Sequence, residues 1–178
     1  MKITARGLKG LSFYFKEKLI LLSESDYQIL KLTDNFYNTY PNPPYIEILK
    51  KRQRAYNCIL FQTHYDYFIC VPYRTEISHN YAYHFTSSVR SVMHRSGLDY
   101  TKIVIISKTE YVDTIDALID KDEYNETMIN LEKIKGEALK FVEDYVAHQK
   151  GTHLLHPREF VRRYKYSPLK YFHTELGI

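Results

Sequence analysis

The chain has no tryptophan, two cysteines, three methionines and six glycines in 178 residues. Two thiols build no disulfide framework, and Cys58 and Cys70 share no metal-ligand spacing. Each lies in an apolar, strand-like run, which suits reduced, buried thiols in a cytoplasmic protein. Scarce glycine leaves no Gly-rich phosphate loop, and His-Glu-x-x-His, paired-Cys and nucleophile-elbow motifs are absent as well. His148, His153 and His156 are too loosely spaced to form a metal site. The longest apolar run near the N-terminus, Leu19-Ile-Leu-Leu22, is far too short to cross a bilayer. Lys16, Glu17 and Lys18 interrupt the stretch that a signal peptide needs apolar. What remains is a cytoplasmic globular protein whose chemistry, if it has any, uses its own side chains without metal or cofactor.

Tyrosine is what the chain has in surplus, with 18 copies. A flat ring with a polar tip suits stacking on a polar ligand, although strand propensity alone also places tyrosines. The net charge of +4 permits a polyanionic partner without demanding one. Its distribution is more telling. Cations gather at Lys50-Lys-Arg-Gln-Arg54, at Arg90, His94 and Arg95, and at Arg158, Arg162, Arg163 and Lys165. Acids gather in residues 113–132, where Asp113, Asp116 and Asp120 read as a solvated face before a helix.

Length suits one domain. Residues 1–26 read as an extension that is either a strand, a short helix or poorly ordered. The domain proper is expected over 27–178. Gln28-Ile-Leu-Lys-Leu32 predicts a first strand, with Thr33 or Asp34 capping a helical turn that Pro41-Asn-Pro-Pro44 breaks. A further short helix is expected to end at Lys50-Lys-Arg52, where the helix dipole alone favours cations. Residues 54–62 and 67–71 predict an antiparallel hairpin. Pro72 is expected to end its second strand, for want of an N–H. Residues 81–85 predict an edge strand, and Ile103-Val-Ile-Ile106 a fully buried one. Asp120 with Glu123 has capping-box spacing and opens one long helix. Its stripe is Tyr124, Met128, Leu131, Ile134, Ala138, Phe141 and Tyr145, with Gly136 as a close packing contact. A last helix is expected over 157–164 with proline in its first turn. The fold class is therefore α+β, with a small, strongly curved antiparallel sheet closed into an SH3-like β-barrel and covered by the long helix.

The chemistry concentrates in Tyr67-Phe-Ile-Cys-Val-Pro-Tyr-Arg-Thr-Glu-Ile-Ser-His79. A buried strand there leads into a cation, two hydroxyls and an imidazole. RNA can be cut without metal because its own 2′-hydroxyl attacks the adjacent phosphate, leaving the protein to position, neutralise charge and move two protons. Arginine offers a planar fork for phosphate oxygens, and histidine transfers protons near neutrality. Arg54, Arg74, Thr75 and His79 supply this kit as candidate catalytic residues. The local alternative is a surface cation, hydroxyls that cap a turn and an exposed histidine. Tyr37, Tyr40 and Tyr81 are candidate stacking residues for flanking nucleotides. Lys50, Lys51, Arg52, Ser78, Asn80 and Lys102 are candidate polar contacts, with Arg162 and Arg163 as further cations on the last helix.

Several short runs together resemble a family. They are Leu30-Lys-Leu32 followed by Phe36-Tyr37, then Arg54-Ala-Tyr56, Val71-Pro-Tyr-Arg-Thr75 and Ser78-His79. Ser96-Gly-Leu-Asp-Tyr-Thr-Lys102 and the ending Ser167-Pro-Leu-Lys-Tyr-Phe172 complete the set. In order and spacing this is similar to the ToxN/AbiQ endoribonuclease toxins of type III toxin–antitoxin systems, closest to the TenpN branch. The resemblance covers 27–178 and implies a core like that of the MazF-like toxins. It implies metal-independent, sequence-selective RNA cleavage that leaves a 2′,3′-cyclic phosphate. It also implies inhibition by a repeated small pseudoknot RNA antitoxin held in a closed toxin–RNA assembly. The substrates implied are cellular or phage RNA, in abortive infection or plasmid maintenance. Thr75 stands where the family has its catalytic serine, and Arg54 matches the basic residue opening its second strand. Ile77 stands where the family has a lysine, which leaves proton transfer to Arg74 or His79. Two other readings stay open, a non-catalytic RNA-binding module and a MazF-like ribonuclease restrained by a protein antitoxin.

Overall fold

The computed structural model describes residues 27–49, 57–63, 65, 67–113 and 117–178. The extension 1–26 and the candidates Lys50, Lys51, Arg52 and Arg54 lie outside the described residues. The described chain is α+β. Six strands are β1 Tyr27–Lys31, β2 Asn57–Gln62, β3 Phe68–Arg74, β4 Ala82–His84, β5 Gly97–Asp99 and β6 Val104–Ile106. The helices are α1 Asp34–Thr39, α2 Val89–Met93, α3 Lys121–Ile129, α4 Leu131–Gln149, α5 Pro157–Tyr164 and α6 His173–Leu176.

The strands pair in the order β1-β2-β3-β5-β4, with β6 also on β3, and every pairing is antiparallel. This sheet is not closed into the barrel that the sequence predicts. The reason lies in β3. One of its edges pairs with β2, while the other is shared between β6, opposite residues 68–70, and β5, opposite residues 73 and 74. A 3-10 turn, Tyr100–Lys102, separates β5 from β6 and bulges out of what is otherwise one partner strand. Pro72 falls in the gap between those two pairings, the place on that edge with no ladder partner for a donor. That is how β3 runs through Pro72 to Arg74 instead of ending there.

Gly97 is fixed by close approach. It pairs with Arg74 on one side and His84 on the other. A Cβ there would lie 3.1 Å from the Tyr83 carbonyl carbon and closer still to its oxygen. Gly136, in contrast, has open space around its Cα, so it is not the packing contact expected from sequence.

The long helix is divided at Asn130 into α3 and α4. Asp120 does cap α3, its carboxylate accepting from the Asp122 N–H at 3.0 Å. On α4 the stripe Ile134, Ala138, Phe141, Val142 and Tyr145 is buried and packs toward β3. On α3 the stripe fails. Tyr124 is exposed, while Glu123, Glu126 and Thr127 are buried. Glu126 turns its carboxylate into the β4–α2 connection. There it accepts from the Thr86 N–H (2.9 Å), the Ser87 N–H (2.8 Å), both hydroxyls of those residues and the Tyr83 hydroxyl (3.2 Å). Burial alone would raise its pKa, but these donors outweigh burial and hold the carboxylate below its ordinary range.

Much of the tyrosine surplus is core. Tyr67, Tyr83, Tyr100, Tyr111, Tyr145 and Tyr164 are buried. The hydroxyls of Tyr83, Tyr100, Tyr145 and Tyr164 find partners, Glu137 at 2.7 Å for Tyr100 and the Phe141 carbonyl at 2.8 Å for Tyr164. Cys70 is fully buried, as expected, but it is disulfide-bonded and not a reduced thiol, so it gives no support for a reducing compartment. Among the described residues no helix is long and apolar enough to cross a membrane.

Candidate functional site

The site assembles where β3, β5 and the 3-10 turn meet. Arg74 closes β3 opposite Gly97, which places Asp99, two residues on, beside the guanidinium. Asp99 is completely buried, yet Arg74 Nη1 donates to its Oδ2. Its other oxygen serves as an Asx-type cap for the 3-10 turn, accepting from the Thr101 N–H at 2.9 Å and the Thr101 hydroxyl at 2.6 Å. His79 Nε2 lies 3.5 Å from that same oxygen and 3.3 Å from the Thr101 Oγ1. Burial by itself would push the Asp99 carboxyl up. The hydrogen bonds from His79 and Thr101, together with the Arg74 charge, reverse this and hold it below the usual carboxylate range.

The Thr101 hydroxyl sets the direction of the His79 contact. The single hydroxyl proton of Thr101 goes to Asp99, so Thr101 Oγ1 accepts from His79 Nε2–H. In the neutral form of the ring this leaves the lone pair on Nδ1. That atom is buried and has no hydrogen-bond partner among the described residues. An oriented imidazole with an unused lone pair, backed by a carboxylate, is the arrangement that proton abstraction requires.

The loop that carries His79 is held by backbone geometry. Glu76 has φ 57° and Arg95 φ 44°, both left-handed and neither glycine. The Glu76 N–H donates to the His94 carbonyl at 2.7 Å and the Ile77 N–H to the Arg95 carbonyl at 3.2 Å. These bonds tie the loop after β3 to the connection before β5, and Ile77 lies in the core, where it is 2 % exposed. Position 77 therefore has no outlet for a proton-transferring side chain. Thr75, Ser78 and Asn80 are exposed on the same loop, and Arg74 remains partly exposed beyond its ion pair.

Lys102 ends the 3-10 turn and donates to the Tyr166 carbonyl at 2.7 Å and to the Glu47 carbonyl at 3.4 Å. Burial lowers its pKa, with the Asp99 charge opposing the shift. Nearby, the buried Glu47 carboxylate accepts from Lys170 at 2.6 Å and from the Tyr171 hydroxyl. Desolvation is again outweighed, here by Lys170 and Tyr171, and Glu47 stays below its ordinary range.

Of the residues singled out from sequence, the fold brings Arg74 and His79 onto one carboxylate. Thr75 follows Arg74 directly in the chain, and Lys102 follows Thr101. Tyr81 is half-buried, with its ring 6.2 Å from that of His79 and the Arg163 guanidinium 5.7 Å from its centre. Arg163 is itself largely buried and paired with Asp144 at 2.9 Å, while Arg162 is exposed. Tyr40 is not a stacking surface. It is 8 % exposed and wedged among Phe36, Tyr45, Tyr111 and Phe172. Tyr37 is half-buried at an edge of Phe36, and burial and the Asp34 charge push its phenol up. Arg54 is outside the described residues.

Asp99, Thr101 and Glu47 escape the sequence reading. The signal for the first two is Asp99-x-Thr101, an Asx-turn pattern whose acid is the sole charged residue between Arg95 and Lys102. Among the described residues no cluster of histidine, cysteine and carboxylate side chains could hold a metal ion. No family model, no curated protein and no solved structure matches the chain.

Proposed function

We propose that this protein is a metal-independent endoribonuclease, the toxin of a type III toxin–antitoxin system of the ToxN/AbiQ kind, acting in the cytoplasm. The observation that carries the reading is the Asp99–Thr101–His79 network, which turns Nε2 to Thr101 and leaves a buried Nδ1 without a hydrogen-bond partner among the described residues. In this reading His79 Nδ1 takes the proton from the 2′-hydroxyl as that oxygen attacks phosphorus. The 5′-oxygen leaves as a 5′-hydroxyl, taking its proton from water, and a 2′,3′-cyclic phosphate remains. Asp99 holds the ring in this tautomer and stabilises the imidazolium that forms. Arg74 uses the donors that Asp99 does not take to bind the non-bridging oxygens, and the Thr75 hydroxyl orients them. Because Nδ1 is covered, RNA must displace what shields it on entry. The open sheet, with β3 split between β6 and β5, is in this reading a variant of the MazF-like core.

The antitoxin belongs to the same proposal, namely a repeated pseudoknot RNA that the toxin cuts from its precursor and holds in a closed assembly. Tandem repeats in the DNA just upstream favour it over a small reading frame for a protein antitoxin. The direct experiment is incubation of the purified protein, stripped of any bound RNA, with mixed cellular RNA in EDTA. We predict cleavage by the wild type and a loss of about 100-fold or more in rate for His79→Ala. Intact RNA with the wild type sinks the proposal. Salt-sensitive binding without cleavage would mark the protein as an RNA-binding module instead.

A further inference from the structure

We infer that the outer face of α5 and the residues just after it form a track for single-stranded RNA leading to the His79 site, an inference that rests on the ribonuclease reading for what lies at its end. Arg158 and Arg162 are exposed one helical turn apart, followed by exposed Lys165 and by Tyr166, 62 % exposed. Seven residues of rise put these cations along about 10 Å. The acid on this helix, Glu159, is paired with Arg163 at 3.5 Å, and among the described residues no ion pair engages the outer cations. The exposed face of α4 is different in kind. Glu132, Lys133, Glu137, Lys140 and Glu143 alternate in sign there, which is what a merely solvated face looks like.

Two contacts join this basic face to the site. The Tyr166 carbonyl takes the Lys102 ammonium at 2.7 Å, and Lys102 follows Thr101 in the chain. Arg163, on the inner side of α5, sits over Tyr81, whose ring neighbours His79. A polyanion lying on Arg158, Arg162 and Lys165 therefore reaches the rim of the site without crossing an acidic surface on α5. The exposed Tyr166 ring, with Lys165 4.9 Å from its centre, offers a base the stacking platform that a paired duplex has no free base to use. That selects single-stranded RNA over duplex.

The test is fluorescence anisotropy with an end-labelled 2′-O-methyl RNA 20-mer, which cannot be cleaved by 2′-hydroxyl attack, titrated across KCl concentrations. Each single-strand phosphate contact contributes about 0.7 to the slope of log K against log salt, or roughly fivefold in affinity at 0.1 M. The triple variant Arg158→Ala/Arg162→Ala/Lys165→Ala should lower the slope by about 2 and weaken binding on the order of 100-fold. Tyr166→Leu should weaken binding on the order of tenfold with the slope unchanged. The variant Lys108→Ala/Lys121→Ala/Lys133→Ala removes equal charge elsewhere and should change little. Equal losses in both triple variants, or tighter binding of a duplex 20-mer, overturns the track. Failure of the wild type to cut ordinary RNA would overturn the ribonuclease reading while leaving these binding outcomes to decide the track.

Discussion

Replacing Asp99 with asparagine removes one charge from the centre of the site while keeping its shape. The amide oxygen of the new side chain can still accept from the Thr101 N–H and hydroxyl, but its NH2 presents a donor to Arg74 Nη1, where the wild type presents an acceptor. Breaking a fully buried pair costs about 3–5 kcal/mol. Arg74 is 29 % exposed, so water recovers part of that, and a cost of about 2–3 kcal/mol is expected. With a urea m-value of about 2 kcal/mol/M, the unfolding midpoint should fall by about 1–1.5 M at pH 7. The pH dependence has a definite sign. The Asp99 pKa is depressed in the folded state, so its contribution is complete above the unfolded value of about 3.9 and is lost as pH falls through the lower folded value. The gap between wild type and Asp99→Asn should therefore narrow below about pH 4. Urea titrations monitored by circular dichroism between pH 3 and 7 measure both quantities. A midpoint shift below about 0.3 M, or a gap that widens in acid, would refute the placement of Asp99 as a paired buried carboxylate.

Two further perturbations test the frame around the site. Glu126→Gln should cost about 2 kcal/mol, because a neutral amide replaces a carboxylate gathering donors from Thr86, Ser87 and Tyr83. Chemical denaturation checks this, and the loss should shrink below about pH 4 for the same sign reason, Glu126 being depressed when folded. Gly97→Ala should cost about 3 kcal/mol or prevent folding, since its methyl meets the Tyr83 carbonyl carbon and oxygen and β4 cannot pair without moving. Thermal unfolding reads that loss, and a change under about 1 kcal/mol would contradict the β4–β5 register.

The hairpin of β2 and β3, the edge position of β4, the burial of β6 and the span of α5 are legible in the sequence because each rests on local pattern. The site is half legible. Arg74 and His79 can be named from sequence because they follow a buried strand and carry recognisable chemistry. What joins them is not legible, because it is a contact between Asp99 and residues 20 and 25 positions away, set by the Arg74–Gly97 register. Tyr40 misleads because an aromatic near a predicted helix end reads alike whether it faces solvent or, as here, Phe36 and Phe172. Barrel closure misleads for a related reason. Strand count and length can be read locally, but the three-residue turn that splits the partner of β3 is visible only once β5 and β6 are seen to share one edge. Glu126 illustrates the limit for acids. Its helix pattern marks it as solvent-facing, and only the return of residues 86 and 87 gives it reason to be buried.

The chemical end left on a cut RNA tests the central claim most directly. A single defined RNA, incubated with the purified protein in EDTA and analysed by mass spectrometry, should yield 5′ fragments ending in a 2′,3′-cyclic phosphate, lighter by one water than the linear 3′-phosphate. Fragments ending in a 3′-hydroxyl, or cleavage that appears only when a divalent metal is added back, would contradict a mechanism in which His79 drives attack by the RNA's own 2′-hydroxyl.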